Sequence, residues 1–108
     1  MIERNAHLDL IFHSLADTTR RDILGRLAMH ELSVGEIASR YEISLAATSK
    51  HLFVLEKAGL VTKRREGKQQ IAALAPDALT DASALIDRYR QIWEHRLDRL
   101  ETYLETQE

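Results

Sequence analysis

Two serine helix starts, eleven residues apart, constrain this chain more than any other feature. Ser33 is followed at the third position by Glu36. In that pattern the serine hydroxyl takes the free N–H of the third helical residue, and the glutamate reaches back to the serine's own N–H. A helix is therefore predicted directly after Ser33, burying Val34, Ile37 and Ala38. Glu42 and Ile43 read as a tight turn. Ser44 caps the next helix, predicted from Leu45 to Ala58, and Gly59 follows where a left-handed residue closes a helix. Thr48, Leu52 and Leu55 share one face of that helix and are expected to pack inward.

The flanks complete the pattern. Leu8, Ile11, Phe12 and Leu15 recur at helical spacing, so a first helix is predicted over about 6–16. Asp17 is expected to cap a second helix whose apolar face is Ile23, Leu24 and Leu27. His30 to Leu32 is read as a connector. The period then changes: Leu60–Arg65 and Gln69–Leu74 read as strands joined through Glu66-Gly67-Lys68, a hairpin with glycine in its loop. After Pro76 one long helix is predicted from Leu79 to Thr106, with an apolar stripe through Ala82, Leu85, Ile86, Tyr89, Ile92, Trp93, Leu97, Leu100 and Leu104. Helix, helix, short helix, turn, helix, hairpin, helix is the order of a winged helix-turn-helix. The expected fold is mainly α, a single domain over 1–108. Residues 33–58 form the helix-turn-helix and 60–74 a two-stranded wing. Residues 1–16 and 79–106 are expected to supply a dimer interface through Leu8, Ile11, Phe12, Leu85, Tyr89, Trp93, Leu97, Leu100 and Leu104.

Net charge is −2, which by itself argues against a nucleic-acid partner. The distribution argues for one. Residues 1–43 hold five Lys/Arg and seven Asp/Glu, residues 44–70 six and two, and residues 71–108 four and eight, so the segments carry −2, +4 and −4. A localised cationic face is what phosphate contact needs. Near the start of the 45–58 helix, Ser44, Ala46, Ala47, Ser49, Lys50 and His51 are available to DNA. Small side chains allow close approach, and free N–H groups at a helix start favour phosphate. Lys63, Arg64, Arg65 and Lys68 surround the hairpin tip and suit a wing laid along the backbone or minor groove.

These residues carry a family likeness. Ile43-Ser44, Ser49-Lys50-His51-Leu52 and Leu55-Glu56-Lys57-Ala58-Gly59-Leu60-Val61 resemble the recognition segment of ArsR-type repressors. Leu15-Ala16-Asp17-Thr18-Thr19-Arg20-Arg21 resembles the family's Leu-Ala-Asp-Pro-Thr-Arg signature, with Thr18 in place of proline. Arg64-Arg65-Glu66-Gly67-Lys68 is similar to its wing, and Trp93-Glu94, Arg96-Leu97 and Leu100 to its last helix. The resemblance implies a homodimer that binds a palindromic operator in double-stranded DNA and represses its target, with Ser44, Ser49, Lys50, His51 and the wing cations at the DNA. The family often has Gln-Pro after the capping serine. Here Leu45-Ala46 stand there, so a glutamine able to pair with adenine is missing.

No cofactor or metal is expected. The chain has no cysteine, which removes thiolate sites and disulfides. Where metal-sensing relatives carry Cys-Val-Cys this chain has Ser33-Val34-Gly35, and Asp87-Arg88-Tyr89 places tyrosine where the other sensor site needs histidine. His95 beside Glu94 and Asp98 is a partial ligand set at most, and surface or structural roles are assigned to His7, His13 and His30. Tyr89 and Trp93 read as interface or core aromatics rather than a ligand platform. No nucleophile elbow or phosphate-binding glycine loop is present, so the chain is not read as an enzyme. Without a membrane span or signal-type apolar block, it is expected in the cytoplasm. Two rival readings are a winged-helix protein-interaction module and a sensor with an effector site between the long helices. The effector, if any, is unspecified by the sequence.

Overall fold

The structure, a computed structural model, describes residues 6–106. Its elements are helices α1 (Ala6–Leu15) and α2 (Thr18–Leu27), strand β1 (Leu32–Ser33), helices α3 (Val34–Tyr41) and α4 (Leu45–Lys57), strands β2 (Val61–Glu66) and β3 (Gln69–Leu74), and helix α5 (Thr80–Glu105). Contacts within the chain divide it between Ala78 and Leu79 into two compact units. The first unit carries α1 to β3 and the second carries α5. Residues 1–5 of the expected first interface segment lie outside the described residues.

The corner between α1 and α2 is built from its own polar groups. Asp17 caps α2 by accepting from the Arg20 N–H at 3.0 Å. Arg20 then turns back: its Nε donates to the Ser14 carbonyl at 2.7 Å and its Nη2 to that of His13 at 3.2 Å. Arg21 Nη1 donates to the Leu15 carbonyl at 2.7 Å. The last carbonyls of a helix have no partner inside it, so these two arginines satisfy the end of α1 while their own helix begins.

Both halves of the Ser33–Glu36 capping box form, each bond 3.0 Å long. At the other end of α3, the Glu42 N–H donates to Ser39 O at 3.3 Å and the Ile43 N–H to Ala38 O at 3.1 Å. Helix α4 ends in the same way, with Gly59 N–H to Glu56 O and Leu60 N–H to Leu55 O, both 3.0 Å. This is the paired arrangement of a Schellman motif, which needs a left-handed residue at its centre. Gly59 provides it at φ 78, whereas α3 uses Glu42 at φ 54, the one non-glycine residue with positive φ among those described.

The sheet corrects one expectation. It has three antiparallel strands in the order β1-β3-β2 among the described residues: the expected two-stranded hairpin of β2 and β3, with β1 added where a connector was expected. The supposed connector ends in β1, with Leu32 opposite Ala72 and Ser33 opposite Ile71. Two residues are too few to show alternation in sequence, and this strand exists only because β3 lies beside it. Strand β2 also sits one residue later than expected, pairing Val61 with Leu74 through Glu66 with Gln69. The loop is then Gly67-Lys68 alone. A positive φ at the first of two loop residues, here 63 at Gly67, is what a type II′ hairpin turn demands.

The core of the first unit gathers Ile11, Ile23, Leu27, Ile37, Leu52, Leu55, Leu60, Val61 and Ala72, all buried. Thr48 and Ser14 are buried too, and each hydroxyl donates to a carbonyl of its own helix, Ser44 O at 2.9 Å and Ile11 O at 2.7 Å. Ile11 therefore belongs to the interior of its own subunit. It is removed from the expected interface set, because a side chain with no exposed area has none left to bury. Phe12, on the same helix, remains exposed.

In the second unit, α5 spans 26 residues, about 39 Å at 1.5 Å per residue. Ile86, Tyr89, Ile92, Trp93, Leu97, Leu100, Tyr103 and Leu104 along it are each 48–63% exposed. Ile86, Tyr89, Trp93, Leu97, Leu100 and Leu104 follow one another at spacings of three and four, so they form one stripe.

The two Schellman ends give opposed expectations. Gly59→Ala should destabilise by about 1–2 kcal/mol, the cost of forcing an L side chain into the left-handed region. Glu42→Gly should stabilise, by up to about 1 kcal/mol once glycine's extra chain entropy is set against the relieved strain. Ser33→Ala should cost about 1 kcal/mol by opening the capping box. Urea midpoints at constant slope check all three, and a loss of stability in Glu42→Gly would contradict the assignment.

Candidate nucleic-acid interface

Helix α4 is held from inside. Thr48, Leu52 and Leu55 are fully buried, which fixes its rotation and turns Ala46, Lys50, Phe53 and Lys57 to the opposite side, with Ser49 on the flank. All five are exposed. Ser44 Oγ accepts from the Ala47 N–H at 3.0 Å. The capping hydroxyl keeps its own proton, so Ser44 can still donate to a phosphate oxygen. Ala47 is half-buried. The sequence-derived set Ser44, Ala46, Ser49 and Lys50 is thus brought together on the first two turns of one helix.

His51 is placed differently. Its Nδ1 stands 3.9 Å from Asp17 Oδ2, and only 24% of the side chain is exposed. It sits on the edge of α4 nearest the α2 cap, away from the face that carries Ala46 and Lys50. Its expected phosphate contact would have to compete with a carboxylate already beside it.

The four wing cations also divide. Side chains alternate across a strand, so Lys63 and Arg65 lie on one face of β2 and Arg64 on the other. Lys63 Nζ is 3.6 Å from Glu56 Oε1 on α4. Arg64 Nη2 is 2.5 Å from Glu31 Oε2 and 3.1 Å from Glu66 Oε2, and the Glu31 carboxylate raises its pKa further above the ordinary arginine value. Among the described residues, Arg65 and Lys68 are exposed at the wing tip without an ion-pair partner. The sequence could not distinguish these two from Lys63 and Arg64, because Glu56 comes from α4 and Glu31 from the residue before β1, and Glu66 alone is local to Arg64.

A polar brace not anticipated from sequence joins α2 to α3. Asp22 accepts from the Tyr41 hydroxyl and from Arg26 Nε, and Arg26 Nε is also 3.0 Å from the Tyr41 oxygen. The guanidinium carbon of Arg26 lies 5.8 Å from the centre of the Tyr41 ring. Burial first, and the Asp22 contact second, push the Tyr41 phenol up. Asp22 and Arg26 are four apart on one helix, which was legible as an ion pair, but the phenol is supplied fifteen residues further on.

A family model described as a helix-turn-helix domain matches residues 15–64, the span from the α1 end to the middle of β2. The HTH-type transcriptional regulator Rv2034 of Mycobacterium tuberculosis is 41% identical over 81 residues, covering 75% of this chain and 76% of that protein. A solved ArsR family transcriptional regulator, RHA00566, superposes with a TM-score of 0.77 at 31% identity, covering 87% of this chain and 97% of the other. The chain belongs to the ArsR family of helix-turn-helix transcriptional regulators. A further neighbour, from Mycobacterium bovis, is described as a homodimeric winged helix-turn-helix DNA-binding domain and a possible ArsR-family regulator. It matches with a TM-score of 0.65 at 28% identity, covering 84% of this chain and 91% of the other. Among the described residues no helix is long and apolar enough to cross a membrane, and no three His, Asp or Glu side chains come together as a metal-ligand group.

Three carboxyls in this ArsR-family fold are held below their ordinary values by the donors that shape it: Asp17 first by the Arg20 N–H, Glu36 first by the Ser33 N–H, and Asp22 first by the Tyr41 hydroxyl and then by Arg26. Each binds its proton more weakly folded than unfolded. Their contribution to stability is therefore complete above the ordinary carboxylate range and lost as the pH falls below about 4. Thermal midpoints between pH 7 and 3 should fall on the acid side, and Glu36→Gln should show a lower midpoint at pH 7 with a shallower acid decline. An unchanged decline would mean the Glu36 carboxylate is not held as described.

Proposed function

We propose that the chain is a homodimeric, sequence-specific repressor that binds an inverted-repeat operator in double-stranded DNA. The observation that carries this reading is the outward face of α4. A serine-capped helix start with free N–H groups, two small residues and Lys50 stands exposed in the unit that also projects Arg65 and Lys68 on a hairpin. No enzyme-like constellation of acid, base and nucleophile is needed to account for any of these positions. Transcriptional regulators of the ArsR family supply the class, and the arrangement of cations supplies the ligand: a polyanion with a groove wide enough for a helix.

The dimer follows from α5. Its exposed stripe from Ile86 to Leu104 is too apolar to leave in water. Full burial of a leucine-sized side chain is worth about 1.5–3 kcal/mol, and roughly half of each is still available here. A second copy of α5 presents the same stripe to itself under two-fold symmetry. Leu8, Phe12, Leu85, Tyr89, Trp93, Leu97, Leu100 and Leu104 are the proposed interface residues. The neighbour described as homodimeric supports the same assembly. A two-fold dimer would present two recognition helices about 34 Å apart, hence a palindromic site, and occlusion of a promoter by the bound pair would repress it.

Salt dependence tests the DNA reading. Lys50, Arg65 and Lys68 in each of two subunits would give a log–log slope of roughly −5. Arg65→Ala with Lys68→Ala should flatten it by about 3 to 4 and weaken binding to all sequences. Arg64→Ala should change it much less, since Arg64 is already engaged by Glu31 and Glu66. No binding to any duplex at low salt would refute the reading. For assembly, Trp93→Asp should convert the dimer to monomer or aggregate and remove tight operator binding. Sedimentation of the wild-type chain as a monomer at micromolar concentration would contradict the dimer.

A further inference from the structure

In the unit ending at Ala78, four large apolar side chains among the described residues stay substantially exposed: Phe12, Met29, Leu45 and Phe53. Two of the four stand on α4, Leu45 at 62% and Phe53 at 57%. Packing does not require them there, because Thr48, Leu52 and Leu55 already fill the inward face. Leu45 is the first helical residue after the Ser44 cap, and exposed Ala46 follows it. Phe53 lies two turns on, about 12 Å further along the axis. Ser49 stands between Leu45 and Phe53 at spacings of four, and Lys50 and Lys57 lie alongside, so the exposed apolar side chains are set within a polar, cationic helix surface.

The first turn of a recognition helix is the part that reaches base edges. On those edges, the C5-methyl of thymine is the apolar feature of the major groove. The exposed polar side chains beside Leu45 are Ser44, Ser49 and Lys50. None carries the planar amide that pairs with adenine N6 and N7 at once. Resting on the DNA-binding reading above, we infer that this chain recognises its operator through thymine methyl groups. Leu45 and Ala46 make the contact in each half-site, and Phe53, beyond Ser49, offers a separate apolar contact toward the far edge. Hydrogen-bonding readout is secondary, and Ser44, Ser49 and Lys50 chiefly position the helix on phosphates.

The test uses the full-length protein. Duplexes bound from a random pool are selected first, and thymines in the enriched half-site are then replaced singly by deoxyuridine. That change removes the methyl and leaves every pairing and hydrogen-bonding group in place. At one or more positions in each half-site, uracil should weaken binding about fourfold, the factor for losing one buried methyl-sized group. In Leu45→Gln the same uracil substitutions should have no effect at the position Leu45 covers. An enriched duplex whose all-uracil half-sites bind within twofold of the thymine form overturns methyl recognition and leaves DNA binding standing. Failure to enrich any duplex overturns both.

Discussion

The end of each helix in the first unit sets the direction of the next, and the ends are fixed by backbone groups that must find partners. Ser33, Ser44 and Asp17 each take an N–H that the helix itself cannot satisfy. Arg20 and Arg21 take the carbonyls left open at the end of α1. Left-handed residues at Glu42 and Gly59 close the carbonyl ends of α3 and α4. A buried N–H or carbonyl without a partner is costly, so these few contacts leave little choice about where the chain turns. The core then fills the space they define.

The rotation of α4 is the point at which packing becomes function. Thr48, Leu52 and Leu55 are all fully buried, and the opposite row, Ala46, Lys50, Phe53 and Lys57, is exposed. The same contacts that stabilise the fold therefore aim Ala46, Lys50 and Phe53 outward. Thr48 is a polar residue in this row and is tolerated because its hydroxyl finds the Ser44 carbonyl. Cap, core and outward face are linked through that short stretch, so a change at Ser44 would disturb both the helix start and the surface it presents.

Charge is allocated less evenly than the segment total of +4 suggests. Carboxylates at Glu31, Glu56 and Glu66 engage Arg64 and Lys63, while Arg65 and Lys68 remain at the wing tip. Exposed ion pairs contribute little to stability. Their effect here is to decide which cations are open to an outside anion and which already have one. An acidic chain can in this way present a narrow cationic surface.

Much of the fold was legible in the sequence because its determinants are local. A cap and its partner stand three residues apart, a glycine at a helix end is read directly, and the inward row of α4 follows from a period of 3.6. The candidate site was legible to the same extent: Ser44, Ala46, Ser49 and Lys50 needed only the cap and the rotation. What the sequence did not reveal depends on residues distant along the chain. Strand β1 is two residues that become a strand only against β3, the Tyr41 phenol meets Asp22 across nineteen positions, and Arg64 finds Glu31 across the sheet. Ile11 looked like an interface residue because periodicity shows that a helix has an apolar face but not which part of it the subunit's own core consumes. Helical periodicity and capping are properties of short stretches and belong to the sequence itself. Which cation meets a carboxylate, and which apolar side chain is left for a partner, is decided when distant segments are brought to within a few ångströms by the tertiary fold.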